Sequence, residues 1–228
     1  MAADAAQAAY VGAAGAEYHE GKRALPEGTV PWVTRARAAL FQPGVREADA
    51  VFEFGCGFGW NLAGLRCARR VGHDVALQLR PVIEAAGIEF VADTGALASG
   101  SFDVVISHHS LEHVPDPCTV LVELRRLLKP GGRLLLAVPH ERERCYRRFD
   151  PQEPNHHLFS WNVQTLGNLV TVSGFRVDHA GLRTYGYDRR AALLATRWRV
   201  GETGFRSIRT LLQRLVPLHE VVIVARPG

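Results

Sequence analysis

From residue 50 onward, short apolar runs alternate with segments of helical period. The runs AVFEF (50–54), DVALQL (74–79), IEFVA (88–92), FDVVIS (102–107) and RLLLAVP (133–139) read as strands. Between them the pattern predicts a helix over 59–70 entered from a glycine-rich turn, a short helix after Pro81, and a helix over about 116–128. Strands this continuously apolar, separated by helices, predict a mostly parallel sheet covered on both faces. Pro130-Gly131-Gly132 ends the third helix and turns the chain into the fifth strand. After Pro139 the rhythm breaks. Residues 139–160 are polar and proline-punctuated, which predicts a long loop overhanging a site. A helix over about 161–172, a strand over 175–181, helical segments within 188–214 and a last strand over 220–226 complete the chain. Two amphipathic segments before residue 45 predict a helical cap over the strand ends, and residues 1–228 read as one domain.

Composition narrows this little. A chain of 228 residues has room for one sizeable core. Hydrophobic residues at 47% and charged residues at 22% are ordinary for a globular protein. No apolar run is long enough to span a bilayer. The alanine-rich start carries acids and lacks a basic region followed by an apolar block, so it reads as a helix rather than a signal peptide. Cys56, Cys67, Cys118 and Cys145 form no CxxC pair, which predicts free thiols and a cytoplasmic setting. The net charge of +4 draws on arginine clusters at Arg142, Arg144, Arg147 and Arg148 and at Arg189, Arg190, Arg197 and Arg199. The first alternates with acids in HERERCYRRFD. That argues for a salt-bridged surface and against nucleic acid.

The chemistry concentrates in VFEFGCGFGWNL. A strand ends at Glu53 and turns through Gly55, Gly57 and Gly59 into a helix. Glycines there let backbone approach a ligand closely, and the helix start offers unpaired N–H groups. A dinucleotide fingerprint would need glycine at 60, where Trp60 stands, and a P-loop would need a Gly-Lys-Ser/Thr end. With Glu53 before the turn, the pattern suits an amino-acid ligand with its carboxylate at the N–H groups and its ammonium near the acid.

With these pieces in order, the chain resembles the class I S-adenosyl-L-methionine (SAM)-dependent methyltransferases over roughly residues 45–180. EFGCGFG is similar to their first motif. VADTGAL puts Asp93, with Thr94, at the adenine end, and FDVVISHHSLEHVPDP followed by LRRLLKPGGRLLLAVP resembles the fourth strand, next helix and fifth strand. HHLFSWNVQTLGNLVTVSGFRV resembles the later helix and sixth strand, and EVVIVARP the seventh strand, inserted antiparallel. The resemblance implies a Rossmann-like α/β three-layer sandwich with a mostly parallel seven-stranded sheet, and SAM as cofactor. It implies SAM contacts from Glu53, Gly55, Cys56, Gly57, Gly59 and Asn61, from Asp93 and Thr94, from His108 and His113 on the wall, and from Tyr18 in the cap. One place departs from the family pattern. Where an Asp or Glu usually closes the second strand and accepts both ribose hydroxyls, a strand over 74–79 puts Gln78, 19 residues after Gly59 and two before Arg80. A neutral amide can still accept one ribose bond and donate another. Asp74, read as the start of that strand, would stand at its wrong end.

Methyl transfer needs in-line placement, plus a base if the acceptor must lose a proton. His109, His140, Asn155, His156 and Tyr185 are the candidates for acceptor contact and catalysis, with His157 beside them. Tyr10, Tyr18, Trp60, Tyr146, Tyr185 and Tyr187 could face a sulfonium through cation–π contact. His109 and His113 share i,i+4 spacing but lack an acid or cysteine ligand at helical spacing, so no metal is expected. A compact core without an appended recognition domain favours a small-molecule acceptor, for which bacterial specialised metabolism is a fitting setting, and leaves room for a homodimer. Two other readings keep the fold: intramolecular cyclisation of SAM to azetidine-2-carboxylate with release of methylthioadenosine, and a non-catalytic binding module.

Overall fold

Val51, Phe52 and Glu53 are buried in the first strand, β1 (Ala50–Phe54), so it is covered on both faces as its sequence predicts. The computed structural model describes residues 10–12, 15, 24–140, 149–150 and 155–228. The further strands are β2 (Arg69–His73), β3 (Glu89–Val91), β4 (Phe102–His108), β5 (Leu128–Pro139), β6 (Phe175–Tyr185) and β7 (Leu218–Pro227). They form one seven-stranded sheet in the order β3-β2-β1-β4-β5-β7-β6. β7 runs antiparallel to both β5 and β6, and the other pairs are parallel.

Helices cover both faces. On one, Phe52, Val105, Leu134, Leu136 and Val138 pack with Leu121, Leu124 and Leu127 of α4 (Pro117–Leu127) and with Leu166 and Val170 of α5 (Val163–Val172). On the other, Val51, Val104, Ile106 and Leu135 meet Ala38 and Phe41 of α1 (Val30–Phe41), Leu62 of α2 (Trp60–Ala63) and Ile83 of α3 (Arg80–Ala85). Burying a side chain of this size contributes about 1.5–3 kcal/mol. A smaller cluster joins Val33 of α1 to Ala191, Ala192 and Ala195 of α6 (Asp188–Arg197) and Phe205 of α7 (Gly201–Leu215). The helix pair α6–α7, inserted between β6 and β7, thereby docks on α1 rather than on the sheet. Of the expected cap, α1 is described and most of residues 1–23 lie outside the described set, including Tyr18.

Three expectations are corrected. The helix predicted over 59–70 is only α2, four residues long, ending at Gly64. A Cβ there would stand 2.9 Å from both the Ala38 Cβ and the Thr34 carbonyl oxygen, so the bare Cα is what lets α1 cross this closely. The chain then enters β2 at Arg69, five residues earlier than the apolar run suggests. Consecutive arginines disguise the strand. Arg69 pairs with Glu89 of β3 across the sheet edge, and Arg70 donates back to the Leu65 carbonyl, so both charges stay satisfied while Val71, Gly72 and His73 are buried. The strand predicted over 74–79 is instead a loop and a 3-10 turn over Leu77–Leu79. β5 also begins earlier than residue 133: Leu128 already pairs with Phe102, and a register irregularity between Phe102 and Val104 absorbs the Pro-Gly-Gly segment.

Candidate active site

A cleft of about 1110 Å³ opens at the carboxyl ends of β1, β2 and β4, where ligand sites of open α/β sheets lie. Its floor is the β1–α2 turn. Gly55, Gly57 and Gly59 have φ of 70°, 52° and 69°, the left-handed region that favours glycine. At Gly57 a Cβ would meet nothing within 4 Å: it would project into open space. The Gly57 N–H donates to Asp74 Oδ2 at 2.7 Å, and the Ala76 N–H donates to its Oδ1 at 3.0 Å.

Asp74 is therefore the residue that follows the true end of β2. It is buried and lines the cleft, whereas Gln78, four residues on, is exposed and does not line it. The departure from the family pattern disappears once the strand is placed correctly: the acid expected after the second strand is present. The signal was legible as Asp74 directly after the arginine-led RRVGH, but periodicity favours the more apolar VALQL.

Glu53 is fully buried, and Asn61 Nδ2 donates to its Oε1 at 2.5 Å. Burial pushes the Glu53 carboxyl up to about 8, partly opposed by the Asn61 hydrogen bond and the Arg37 charge. Glu53 Oε2 and Asn61 Oδ1 are buried with no hydrogen-bond partner among the described residues. Asp93 and Thr94 stand at the other end of the cleft, in a loop that Arg126 pins through the Thr94 and Leu97 carbonyls.

A second constellation closes the cleft beyond Asn61. Glu220, on β7, is fully buried, and its Oε2 accepts from His108 Nε2 at 3.0 Å and from His109 Nε2 at 2.9 Å. Arg183 Nε donates to Oε1 at 2.7 Å. Because a carboxylate only accepts, both imidazoles carry their proton on Nε2. His108 Nδ1 then accepts from Asn61 Nδ2 at 3.2 Å, so a continuous chain runs from Glu53 to Arg183. Burial is the largest effect on both rings and holds them neutral, while hydrogen bonds from both histidines keep Glu220 ionised. His109 sits at φ 53°, uncommon for a non-glycine residue, and its ring meets Tyr185 edge-on at 4.7 Å. Glu220 and Arg183 carry no signal in the sequence, since Glu220 is a single acid ahead of an apolar run and Arg183 is one of several polar residues of β6.

The structure does not bring His109 and His113 together. His113 instead joins Glu112 and His157, and its Nδ1 bonds the Tyr10 hydroxyl at 2.8 Å. The Tyr10 hydroxyl also donates to the Asn155 carbonyl at 3.0 Å. His108, His109 and Glu220 offer ligand atoms within 4.8 Å of one another. The Glu220 carboxylate there is paired with the Arg183 guanidinium and accepts hydrogen bonds from both imidazoles. Gly55, Cys56, Asn61, His108, His109, His113, Asn155 and Tyr185 line the cleft, while His140 and His156 do not. His140 pairs with Trp161 beside the sheet, and His156 is exposed. Residues 141–148 and 151–154 of the expected overhanging loop lie outside the described set.

A family model described as a methyltransferase domain matches residues 23–180. A ubiquinone biosynthesis O-methyltransferase of Xanthomonas oryzae is 38% identical over 100 residues, 38% of this chain and 41% of that protein. The relative of the same name from Xanthomonas axonopodis is 34% identical over 123 residues, 50% and 52% of the two chains. The chain thus aligns with about half the length, or less, of these curated relatives. Among solved structures, a SAM-dependent methyltransferase from Mesorhizobium loti superposes with a TM-score of 0.53 at 20% identity, covering 82% of this chain and 96% of that one. The cyclase SpnF superposes at 0.59 and 17% identity, covering 86% and 80%, and like the former shows the shared fold alone. No described helix is long and apolar enough to cross a membrane. With well over half of its residues inside the family match, and the resembling motifs gathered at one cleft, the chain belongs to the class I SAM-dependent methyltransferases.

Proposed function

We propose that this enzyme methylates a hydroxyl of a small-molecule acceptor, with His109 as general base and Glu220 as the counter-charge that makes it one. The observation that carries this reading is the His109–Glu220 pair beside Tyr185, on the wall of the cleft. Bound SAM supplies an electrophilic methyl group whose bond electrons stay with sulfur. The acceptor O–H proton passes to His109 Nδ1, because Nε2 is committed to Glu220. The imidazolium so formed is buried, and the adjacent carboxylate offsets a charge that burial would otherwise penalise. Arg183 fixes the Glu220 carboxylate from its far side.

Three features support a fit to SAM. The open space over Gly57 admits the methionine backbone. The partnerless Glu53 Oε2, with Asn61 Oδ1, suits an ammonium group. Asp74, rather than Gln78, suits the ribose hydroxyls, and Asp93 with Thr94 suits the adenine end. Free thiols at Cys56, Cys67 and Cys118 agree with a cytoplasmic setting. The direct test incubates enzyme, SAM and a panel of phenols and enols. S-adenosylhomocysteine (SAH) formed in step with a methyl ether is the expected result. Methylthioadenosine formed without acceptor would overturn the reading in favour of cyclisation.

Two measurements address the cofactor end. Gly57→Ala adds a Cβ in the left-handed region, at about 1–2 kcal/mol of strain, and should lower Tm by a few degrees. Its SAH affinity should fall by about tenfold or more, because the methyl group occupies the approach to the turn; unchanged affinity would move the ligand elsewhere. Glu53 gives a proton-linkage signature. Its raised value means it is mostly protonated at pH 7 when free, and an ammonium partner favours the ionised form. SAH binding at pH 7 should therefore release close to one proton, and affinity should rise between about pH 6 and 7.5. Calorimetry in buffers of different ionisation enthalpy reads the proton directly, and Glu53→Gln should abolish the release.

A further inference from the structure

Past Trp60 and His109, the cleft is bounded by the segment from Tyr185 to Arg189 and by α7. Tyr187 takes φ 68° at the N-cap of α6, a conformation costly for tyrosine, and Asp188 follows it on the cleft wall. Asp188 Oδ2 accepts from Arg37 Nε at 3.0 Å, and Oδ1 accepts from Arg209 Nε at 2.7 Å. These side chains are 30% (Arg37), 13% (Asp188) and 14% (Arg209) exposed, so the triad is largely withdrawn from water without being sealed. Two guanidinium groups on one carboxylate leave a net positive charge, and Arg189 on the same wall adds to it.

Each of the two arginines spends only its Nε on Asp188, and their Nη groups make no hydrogen bond among the described residues. Arg37 lies over the Trp60 ring at 5.3 Å, and its charge is felt at Glu53, His108 and His109. Of the other nearby acids, Glu53 is held mostly protonated by burial. Glu220 serves Arg183 and the histidines, and Glu202 on α7 pairs with Arg35 and Arg206. A half-buried excess of guanidinium beside Leu25, Leu40 and Trp60 favours a counter-anion, and the planar fork suits carboxylate and phosphate oxygens.

We propose that Arg37 and Arg209 bind an anionic group of the acceptor, a carboxylate or a phosphate, and that Asp188 is the resident counter-charge with which this group competes. The inference rests on the reading that the cleft beyond His109 takes the acceptor, and its test reads binding without turnover. SAH-loaded enzyme is titrated by calorimetry with benzoate, phenyl phosphate and the neutral benzamide. At least one anion should bind about tenfold more tightly than benzamide, and which one does so separates carboxylate from phosphate. Arg209→Gln should reduce the anion to the benzamide level while SAH affinity stays unchanged. Asp188→Asn removes the competing carboxylate and should tighten anion binding severalfold, which a merely structural triad would not do. Benzamide binding as well as both anions, no anion binding at millimolar concentration, or no gain in Asp188→Asn would each overturn the proposal. Methyl ether formation is scored separately, so loss of the base mechanism and loss of the anion site remain distinct results.

Discussion

His109→Gln is expected to lower kcat by about 10²–10⁴-fold, the range typical of a positioned general base, while SAH affinity stays within about twofold. Glutamine can still donate to Glu220, so the neighbouring network keeps its partner and the loss reports proton transfer rather than collapse. Because burial holds His109 neutral well below the usual histidine range, the wild-type kcat at saturating SAM should stay level from about pH 8 down to pH 6 instead of falling near the ordinary value of about 6.5. Stability carries a matching sign. His109 has a folded value below its unfolded one, so its contribution is full above the unfolded value and is lost as pH falls from there toward the folded one. Glu220, also depressed, adds a further loss once pH drops below its ordinary carboxylate range. Glu53, raised to about 8, has the opposite sign and adds stability as pH falls through that value, so the His109 contribution is read as a difference: between pH 7 and 5 the Tm of the wild type should fall relative to that of His109→Gln. Activity within threefold of wild type in that variant would remove His109 as the base.

Asp74→Asn should weaken SAM and SAH binding by about 10–100-fold, and Gln78→Ala should change it by less than twofold. The first figure follows from hydrogen bonds to a charged acceptor, each contributing about 1.5–3 kcal/mol. Asp74 also receives the Gly57 and Ala76 N–H groups, so the substitution loosens the glycine turn as well as the proposed ribose contact. Exposed Gln78 has no place in the cleft. A larger effect at residue 78 than at 74 would restore the reading of the strand as residues 74–79 and undo the register reported above. Equilibrium dialysis with labelled SAH is enough to decide.

The sequence by itself determined most of the strands and the glycine turn, because both are local. Continuous apolar runs at β1, β4 and β5, amphipathic helices between them, and Gly55, Gly57 and Gly59 after Glu53 are consequences of neighbours in the chain. The histidines after β4 were legible as candidates for the same reason. The exact course of β2 was not. Its arginines are satisfied by Glu89 on another strand and by a carbonyl, partners invisible to periodicity, so the more apolar run beside it drew the register. That single displacement turned an ordinary acid at Asp74 into an apparent amide at Gln78.

The acceptor side depended on tertiary structure almost entirely. Glu220 meets His109 across 111 positions, and Arg37 meets Asp188 across 151. Nothing in either local sequence distinguishes these residues from surface charge. They acquire function because antiparallel β7 slots between β5 and β6, and because the α6–α7 pair folds back onto α1. Those long-range choices exclude water from a few charges and leave them only each other to pair with. That desolvation is what suits Glu220 to the proposed role of partner to a base and Arg37 with Arg209 to the proposed role of anion cradle.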